Sequence, residues 1–369
     1  MKTFIHQLQS WPAYTYDAHA LVTRLEAAQT RRGLLFGKLS VLGFDDLQQA
    51  QLEAITAEIV KSSEIEGERL DLETVKGSVA KRLGISRSGQ SEGDYYTDGL
   101  AAMSLDAGQK WAEPLTEDRL FNWHAAIFPS GRNVFGKLRV GQWRDDAQGP
   151  MQVVSLKRGK ETVHFEAPPA KKLAKEMGLF LKWFESEKEP SKVLKAGIGH
   201  LWFETIHPFE DGNGRIGRNI LDLALARADQ LPYRCYSVSA QILKERNSYY
   251  DALEKAQNGT GDYTAWLDWY LGCYGRCLNQ AIDEVGAAMS RTRFWQFHKA
   301  ADLSARQRKV ISRMLMGFEG RMTNEKYGKI GKCSVATATR DLNDLVEKRI
   351  LIGDGKGGRS SGYIIVPIE

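Results

Sequence analysis

The feature that most constrains the fold is a break between two helical segments, the stretch HPFEDGNGRIGR from His207 to Arg218. The preceding segment, LKAGIGHLWFETI, is apolar enough to be a buried helix, and Pro208 and Gly212 cannot continue it comfortably. A second helix then opens at Gly212-Asn213-Gly214. A glycine-rich turn at a helix N-terminus presents backbone N–H groups and the positive end of the helix dipole. The break therefore predicts an anion-binding loop held between two packed helices.

The charged residues of this stretch are those that a nucleotide-dependent transfer to a hydroxyl requires. Arg215 and Arg218 lie one turn apart on the second helix, so their guanidinium groups share a side and can bind phosphates. Asp211 offers a hard oxygen ligand suited to Mg²⁺ that bridges phosphate oxygens. His207 titrates near neutral pH and can remove a proton from a hydroxyl.

These residues resemble the Fic family signature H-x-F-x-[DE]-G-N-G-R-x-x-R at every fixed position. The GQWR segment and the hairpin predicted from Met151 to Phe165, with a turn at Lys157-Arg158-Gly159-Lys160, are similar to that family's flap. The resemblance covers roughly residues 115–269. It implies a protein adenylyltransferase that moves AMP from ATP, with Mg²⁺, to a Ser, Thr or Tyr hydroxyl of a protein, itself included.

The family likeness also implies roles for individual residues. His207 would be the base, Asp211 the metal ligand, and Arg215 and Arg218 the residues that neutralise the transferred and leaving groups. The target protein would dock on the flap, residues 151–165, as an added strand. The implied nucleotide-contacting positions are Glu66, Val163, His164, Phe165, Glu166, Asp211, Gly212, Asn213, Gly214, Arg215, Ile216, Gly217 and Arg218, with Tyr250 and Gln257 in the later NSYYDALEKAQN segment.

A second motif, SSEIEGE, lies far upstream. Ser62 and Glu66 are four residues apart and share a helix face, and Gly67 is placed to end that helix. The motif resembles the family's inhibitory helix, [ST]-x-x-x-E-[GN]. By that likeness Glu66 pairs with Arg218 and blocks productive placement of the γ-phosphate. Some family members with this motif also remove AMP, and the sequence leaves that activity open.

Charge is divided unevenly along the 369 residues. Residues 302–369 hold thirteen Lys and Arg against eight Asp and Glu, whereas the first 301 residues hold 38 of each sign. Within this basic segment, helices from Ser304, Asn324 to Ile330 and from Ser334 precede two short β runs joined by GDGKGGRSS, which is a winged-helix order. We expect this segment either to bind nucleic-acid phosphates through Arg340, Lys356 and Arg359 or to dock a protein. Val335, Ala338, Leu342, Leu345 and Val346 are expected to face inward.

The fold is expected to be mainly α, with a helical Fic-type core, a β-hairpin flap and a C-terminal winged-helix domain. The expected domains are residues 1–110, with the inhibitory helix around 47–67, then 111–300 for catalysis and 302–369 for the winged helix. Besides those named above, helices are predicted over residues 45–83 with a break at Gly67, 171–184, 191–206, 213–228 and 239–256, and one capped by Thr116 whose His124 belongs to the core.

Other function classes are less consistent with the sequence. No apolar run approaches the ~18 residues of a membrane span, and four cysteines are too few for a secreted disulfide framework, so a cytoplasmic protein with free thiols is expected. His200, Glu204 and His207 lack the H-E-x-x-H spacing of a zinc site. The alternative function is a DNA-binding regulator whose Fic module senses nucleotide without turnover. The loop would also suit donors of UMP, phosphocholine or phosphate.

Overall fold

The computed structural model describes residues 3–85, 94–133, 136–147, 149–157, 160–231, 233–318, 320–353 and 362–367. The chain divides into two compact units, Met1–Ile282 and Asp283–Glu369. The described residues are mainly helical, as predicted. None of their helices is both long and apolar enough to cross a membrane.

The helices are mostly capped by local side chains. Asp17, Asp71, Asp94, Thr116, Ser191 and Ser237 each accept a backbone N–H of the helix that follows. In chain order the helices of the first unit are α1 (Ala18–Leu39), α2 (Phe44–Ile65), α3 (Leu72–Arg82), α4 (Tyr95–Gln109), α5 (Glu117–Ile127), α6 (Leu173–Phe184), α7 (Lys192–Ile206), α8 (Asn213–Asp229), α9 (Val238–Lys244), α10 (Arg246–Gln257) and the long α11 (Thr264–Phe297), whose last residues belong to the second unit.

The core of the first unit is the packed pair α7 and α8, whose residues are buried on nearly every face. Around this pair, α2 packs against α3, α4, α8 and α9, and α6 packs against α7. The first sheets are two-stranded: β1 (Arg132–Asn133) pairs with β2 (Gly136–Lys137), and β3 (Gln152–Lys157) pairs with β4 (Lys160–Glu166). The β3–β4 pair is antiparallel with an irregularity between Val153 and Val154, so the predicted hairpin is present. Part of its predicted turn, residues 158 and 159, lies outside the described residues.

Three helices of the first unit, α1, α4 and α11, were not predicted from the sequence. The single helix predicted over residues 239–256 is wrong, because the structure has α9 and α10 with a break at Glu245. The backbone of Glu245 is not helical there, and its carboxylate accepts hydrogen bonds from Arg276 of α11 at 2.6 and 2.5 Å. At the break, Glu245 thus contacts a residue that lies 31 positions further along the chain.

The second unit has its own buried core. Its elements are α12 (Ala305–Leu315), α13 (Asn324–Gly331), α14 (Val335–Glu347) and an antiparallel pair of β5 (Leu351–Gly353) and β6 (Tyr363–Ile365). This is the predicted element order; its assignment to the winged-helix type stays a prediction, as do the boundaries of the three expected domains. The predicted wing residues Lys356 and Arg359 lie outside the described residues.

One expectation for α14 is partly wrong. Ala338, Leu342 and Leu345 are fully buried, but Val335 is 59% and Val346 37% exposed. Val335 lies in the first turn of α14, beside the connection to α13, and Val346 lies in its last turn. The cysteines Cys235, Cys273, Cys277 and Cys333 are free.

Candidate functional site

The loop from His207 to Gly212 joins the two core helices and is locked by its own residues. His207 has φ +51° and Gly212, which precedes α8, has φ +80°. A Cβ on Gly212 would lie 2.8 Å from Ile127 and 2.9 Å from Phe128, so both backbone angle and space require glycine. The Asn213 side chain accepts the Phe209 N–H at 2.9 Å and donates to the Phe209 carbonyl at 2.7 Å. Asn213 therefore holds the loop closed, and its side chain is not directed at a ligand.

His207 is a largely buried imidazole at the end of α7. Its side chain is 19% exposed, and its Nδ1 lies 3.4 Å from the Glu204 carbonyl oxygen. Burial lowers the pKa of His207 to about 4, and the positive charge of Arg144 acts in the same direction. Arg144 also donates its Nε–H to the His207 carbonyl at 2.8 Å. The imidazole is thus neutral at pH 7 and able to accept a proton.

Asp211 occupies the open side of the loop. Its side chain is 36% exposed; Oδ2 accepts a hydrogen bond from Asn133 at 2.8 Å and Oδ1 accepts the Gly212 N–H at 2.6 Å. No group of three or more His, Cys, Asp and Glu able to hold a metal occurs among the described residues. A single carboxylate beside a phosphate site is nevertheless a usual Mg²⁺ arrangement, since this ion takes one or two carboxylates plus substrate phosphates and water.

Arg218 is buried in the floor of the site and is already occupied. It is 2% exposed, and its Nη2 lies 2.8 Å from Oε1 of Glu66, whose side chain is 34% exposed. The guanidinium also donates to the Ser62 hydroxyl at 2.9 Å and to the Ser62 carbonyl at 3.0 Å. Burial alone would lower the pKa of Arg218, but the Glu66 carboxylate raises it above the ordinary value. The two residues of the upstream motif therefore reach the same arginine.

Gly214 provides the space for Glu66. A Cβ at Gly214 would overlap the Glu66 carboxylate, so glycine lets the carboxylate enter the loop. Helix α2 ends at Ile65, one residue before Glu66, and Gly67 follows with φ +86°. The predicted end of this helix is thus present, and it delivers the carboxylate at the helix terminus.

Arg215 is held by two residues that the sequence analysis missed. Its Nη1 lies 3.0 Å from Oε2 of Glu68 and bonds the Tyr96 hydroxyl, which also bonds Glu68. The guanidinium stacks 5.1 Å from the centre of the Phe128 ring. Glu66 and Glu68 flank Gly67. One turn of the chain thus places the Glu66 carboxylate against Arg218 and the Glu68 carboxylate against Arg215. The signal in the sequence was the E-G-E spacing, but only packing shows where the second carboxylate goes.

Glu204 is a further buried acid behind the loop. It is 5% exposed, its Oε2 lies 4.0 Å from His207 Nδ1, and its Oε1 has no hydrogen-bond partner among the residues that the structure describes. Burial raises the pKa of Glu204 to about 8, against the opposing charge of Arg218, with Glu66 raising it further. A Cβ on Gly217 would overlap Glu204 Oε1, so Gly217 makes room for this carboxyl and not for a ligand. Its neighbour Ile216 is fully buried.

The remaining predicted positions are spread around the loop. Tyr250, 39% exposed, lies with its hydroxyl 3.5 Å from the Ile65 carbonyl at the end of α2. Gln257 is buried and donates to the Glu204 carbonyl at 3.2 Å, so its side chain holds α10 against α7. His200, the other member of the disfavoured zinc set, bonds the Tyr249 hydroxyl at 2.9 Å.

The second strand of the flap carries the other four predicted contacts. His164 Nδ1 lies 2.8 Å from Glu254 of α10, and Val163 is 37% exposed. Phe165 is buried against Phe4, so its side chain belongs to the core and does not face the loop. The Glu166 carboxylate accepts a hydrogen bond from Gln152 of the paired strand at 2.8 Å, as a partner within the hairpin.

Comparison with known proteins shows that the loop lies in a region that matches a known family model. Residues 114–225 match the Fic/DOC family, and residues 4–85 match a domain of unknown function, DUF4172. A probable protein adenylyltransferase of Aquifex aeolicus (strain VF5) is 34% identical over 95 residues, 26% of this chain and 27% of the relative. The protein adenylyltransferase Fic of Aedes aegypti is 26% identical over 239 residues, 63% of this chain and 43% of the relative. The chain spans less than half the length of these curated relatives.

One relative is named for a different donor. The uridine 5'-monophosphate transferase of Xanthomonas campestris pv. campestris is 29% identical over 130 residues, 32% of this chain and 22% of the relative. Among solved structures, a Fic family protein from Desulfovibrio desulfuricans G20 has a TM-score of 0.55 at 23% identity, covering 97% of this chain and 99% of that chain. This likeness supports the fold.

Proposed function

From the premise that this chain carries a Fic/DOC family domain over residues 114–225, we propose that it is a protein adenylyltransferase. The observation that carries the proposal is a neutral, largely buried His207 on the loop that leads into α8, whose first two turns carry Arg215 and Arg218. Relatives named as protein adenylyltransferases support the same activity.

In the proposed reaction His207 removes the proton from a Ser, Thr or Tyr hydroxyl of the target. The hydroxyl oxygen then attacks the α-phosphorus of ATP, the bond between the α-phosphorus and the bridging oxygen breaks, and pyrophosphate leaves with the electron pair. The N–H groups at the start of α8 and the guanidinium groups of Arg215 and Arg218 neutralise the charge that develops on the phosphates. Asp211 would hold Mg²⁺, which neutralises phosphate charge when bound.

The site is further proposed to be autoinhibited. Arg218 cannot bind Glu66 and a γ-phosphate at once, since its Nη2 already lies 2.8 Å from Glu66. Arg218 is buried and Glu66 is at the rim, so displacement of Glu66 requires movement of only the exposed partner. Removal of AMP from a modified target, and attack by the chain on its own hydroxyls, are compatible with the same loop.

The test is incubation of the pure protein with each labelled NTP and Mg²⁺, read by intact mass. Wild type, Glu66→Gly and Glu66→Gly/His207→Ala are compared. AMP addition by Glu66→Gly that is lost in the double variant supports the proposal. The alternative, a nucleotide sensor without turnover, predicts ATP binding by all three proteins and no covalent label on any. A label from UTP alone would identify a uridylyltransferase instead.

A further inference from the structure

The second compact unit carries all the excess positive charge of the chain. Residues 302–369 hold thirteen Lys and Arg against eight Asp and Glu, and the preceding 301 residues are balanced. The transfer chemistry uses residues of the first unit only, so this charge has no role in it. Concentrated positive charge on a separate unit is typical of a surface that binds a polyanion.

Helices α13 and α14 of this unit form a helix-turn-helix. Three residues connect them, from Lys332 to Ser334, and Lys332 has φ +50° at the turn. Ser334 then caps α14 by accepting the Thr337 N–H at 3.2 Å. In proteins that bind DNA through this motif, the second helix enters the major groove with its N-terminal residues towards the bases.

Two acidic residues in the middle of α14 are paired with residues of the same unit. Asp341 accepts hydrogen bonds from Arg306 of α12 at 2.6 Å and from Tyr327 of α13 at 2.8 Å. Asp344 accepts hydrogen bonds from Gln307 at 2.6 Å and from Lys348 at 2.7 Å. Asp341 is thus paired with Arg306 and Asp344 with Lys348, which offsets the negative charge in the middle of α14.

The outer face of α14 combines small residues with a cation. Ser334, Val335 and Ala336 are exposed at its start, and Arg340 is exposed one turn later. Small side chains let a helix backbone approach base edges closely, and an apolar one such as Val335 can contact a thymine methyl group. The exposed acid on this face, Glu347, is the last residue of the helix.

Two lysines lie beside the start of α14. Lys332 is exposed in the turn, and Lys329 is 78% exposed in the last turn of α13. Lys329 lies 4.0 Å from Glu325, whose side chain is 79% exposed, and an exposed pair of this kind holds neither partner firmly. Both lysines are thus able to contact phosphates on either side of a groove.

From this arrangement we propose that the C-terminal unit binds duplex DNA, with the first half of α14 in the major groove and Lys329, Lys332 and Arg340 on the phosphates. A surface that docks a protein would instead present an apolar patch with exposed aromatic or other large side chains. The exposed residues at the start of α14 are serine, valine and alanine, which suit close approach to a polyanion. The inference does not depend on AMP transfer.

The experiment measures binding of the full chain to a labelled duplex of about 30 base pairs, roughly three helical turns. Binding is expected to weaken between about 50 and about 200 mM salt, because each phosphate contact releases counterions with a slope near −0.9 in log affinity against log salt. Lys332→Ala/Arg340→Ala should reduce that slope by about 2 and weaken binding roughly fiftyfold at about 0.1 M salt.

The matched control is Lys309→Ala/Arg313→Ala, which removes the same charge from α12. It should bind nearly as wild type, and both double variants should keep the far-UV circular dichroism spectrum and the thermal unfolding transitions of wild type, which report that both units are folded. Absence of duplex binding at about 50 mM salt, equal losses in both double variants, or equal affinity for duplex and single strand would each overturn the proposal. Absent duplex binding by a chain that shows the unfolding transitions of both units would leave protein docking as the role of the second unit.

Discussion

At the residue scale, Arg218 contacts Glu66, and in the proposed mechanism a phosphate of ATP competes for the same guanidinium. A charge-assisted hydrogen bond of ~1.5 to 3 kcal/mol biases such a choice by roughly ten- to a hundredfold. Glu66→Gly should therefore raise self-AMPylation by about that factor and tighten ATP binding. Labelling of wild type and variant at one ATP concentration measures it.

Two controls accompany that substitution. Glu64→Ala removes a neighbouring carboxylate that bonds Lys61 and not an arginine of the loop, and it should leave labelling unchanged. Adding Arg218→Ala to Glu66→Gly should abolish the gain, because the released guanidinium is then absent. Equal labelling by wild type and Glu66→Gly would show that this turn has only a structural role.

Substitution of His207, the proposed base, tests the transfer step separately from ATP binding. His207→Ala should leave ATP affinity largely intact, because the phosphates are held by the loop N–H groups and the arginines, and should reduce transfer by ~10²- to 10⁴-fold in the Glu66→Gly background. Single-turnover labelling and ATP titration give the two quantities. Transfer within a few-fold of the parent, with normal ATP binding, would exclude His207 as the base.

Glu204 should make the stability of the protein depend on pH. Its pKa is raised to about 8 by burial, so above its ordinary value of 4.5 the folded state holds a proton that the unfolded state has lost. Stability therefore falls as pH rises from about 4.5 to about 8. Between about 4 and 6.5 the lowered pKa of His207 acts in the opposite direction, so the window above pH 6.5 excludes the contribution of His207.

Glu204→Gln should reduce by up to one the number of protons that the folded protein binds in excess of the unfolded protein. The free energy of unfolding, measured with urea at several pH values between about 6.5 and 8, should decline less steeply in the variant by up to ~1.4 kcal/mol per pH unit. Other buried acids such as Asp222 remain in both proteins and cancel from the difference. Parallel pH profiles would mean that Glu204 is ionised throughout this range.

At the scale of the element, α2 is fixed far from its functional end. Glu58 is 5% exposed and accepts hydrogen bonds from Ser237 at 2.7 Å and the Ser239 N–H at 3.1 Å, at the start of α9. Its carboxylate also lies 3.7 Å from Arg234, which pairs with Asp222. This anchor fixes α2 against α9, and the last residue of α2, Ile65, directly precedes Glu66.

Glu58→Ala should therefore destabilise the protein by ~3 kcal/mol, since it leaves buried donors of α9 without their acceptor. Urea unfolding measures the loss. The control on the same helix is Glu53→Ala, whose side chain is 53% exposed and pairs with Lys76, and which should cost less than about 1 kcal/mol. Similar losses in the two variants would show that the anchor is not important for α2.

At the scale of the whole molecule, the chain is two units with separate cores. Every residue placed in the transfer reaction lies before residue 258, within the unit Met1–Ile282. A chain that ends after Ile282 should therefore keep self-AMPylation in the Glu66→Gly background and lose duplex binding. Intact-mass labelling of the truncated chain tests this. Loss of transfer by a folded truncated chain would show that the second unit supports the site.

The features that the sequence determined by itself depend on residues that lie close together along the chain. The loop from His207 to Arg218 was predicted because its residues are neighbours along the chain, and the backbone demands of Gly212 and the spacing of Arg215 and Arg218 on one helix follow from short-range geometry. The helix starts at Thr116, Ser191 and Ser334 were predicted for the same reason, since a cap bonds N–H groups three residues away.

What only the tertiary structure decided depends on contacts between distant residues. Glu68 and Tyr96 reach Arg215 across 147 and 119 residues, and the E-G-E spacing that includes Glu68 does not say which cation it contacts. The break between α9 and α10 lies at Glu245, which contacts Arg276 of α11, and Glu204 is a buried acid because α7 packs against α8. The sequence states which groups a chain carries, but the free energy of burial and charge pairing depends on which helices surround each group, and that is decided by packing.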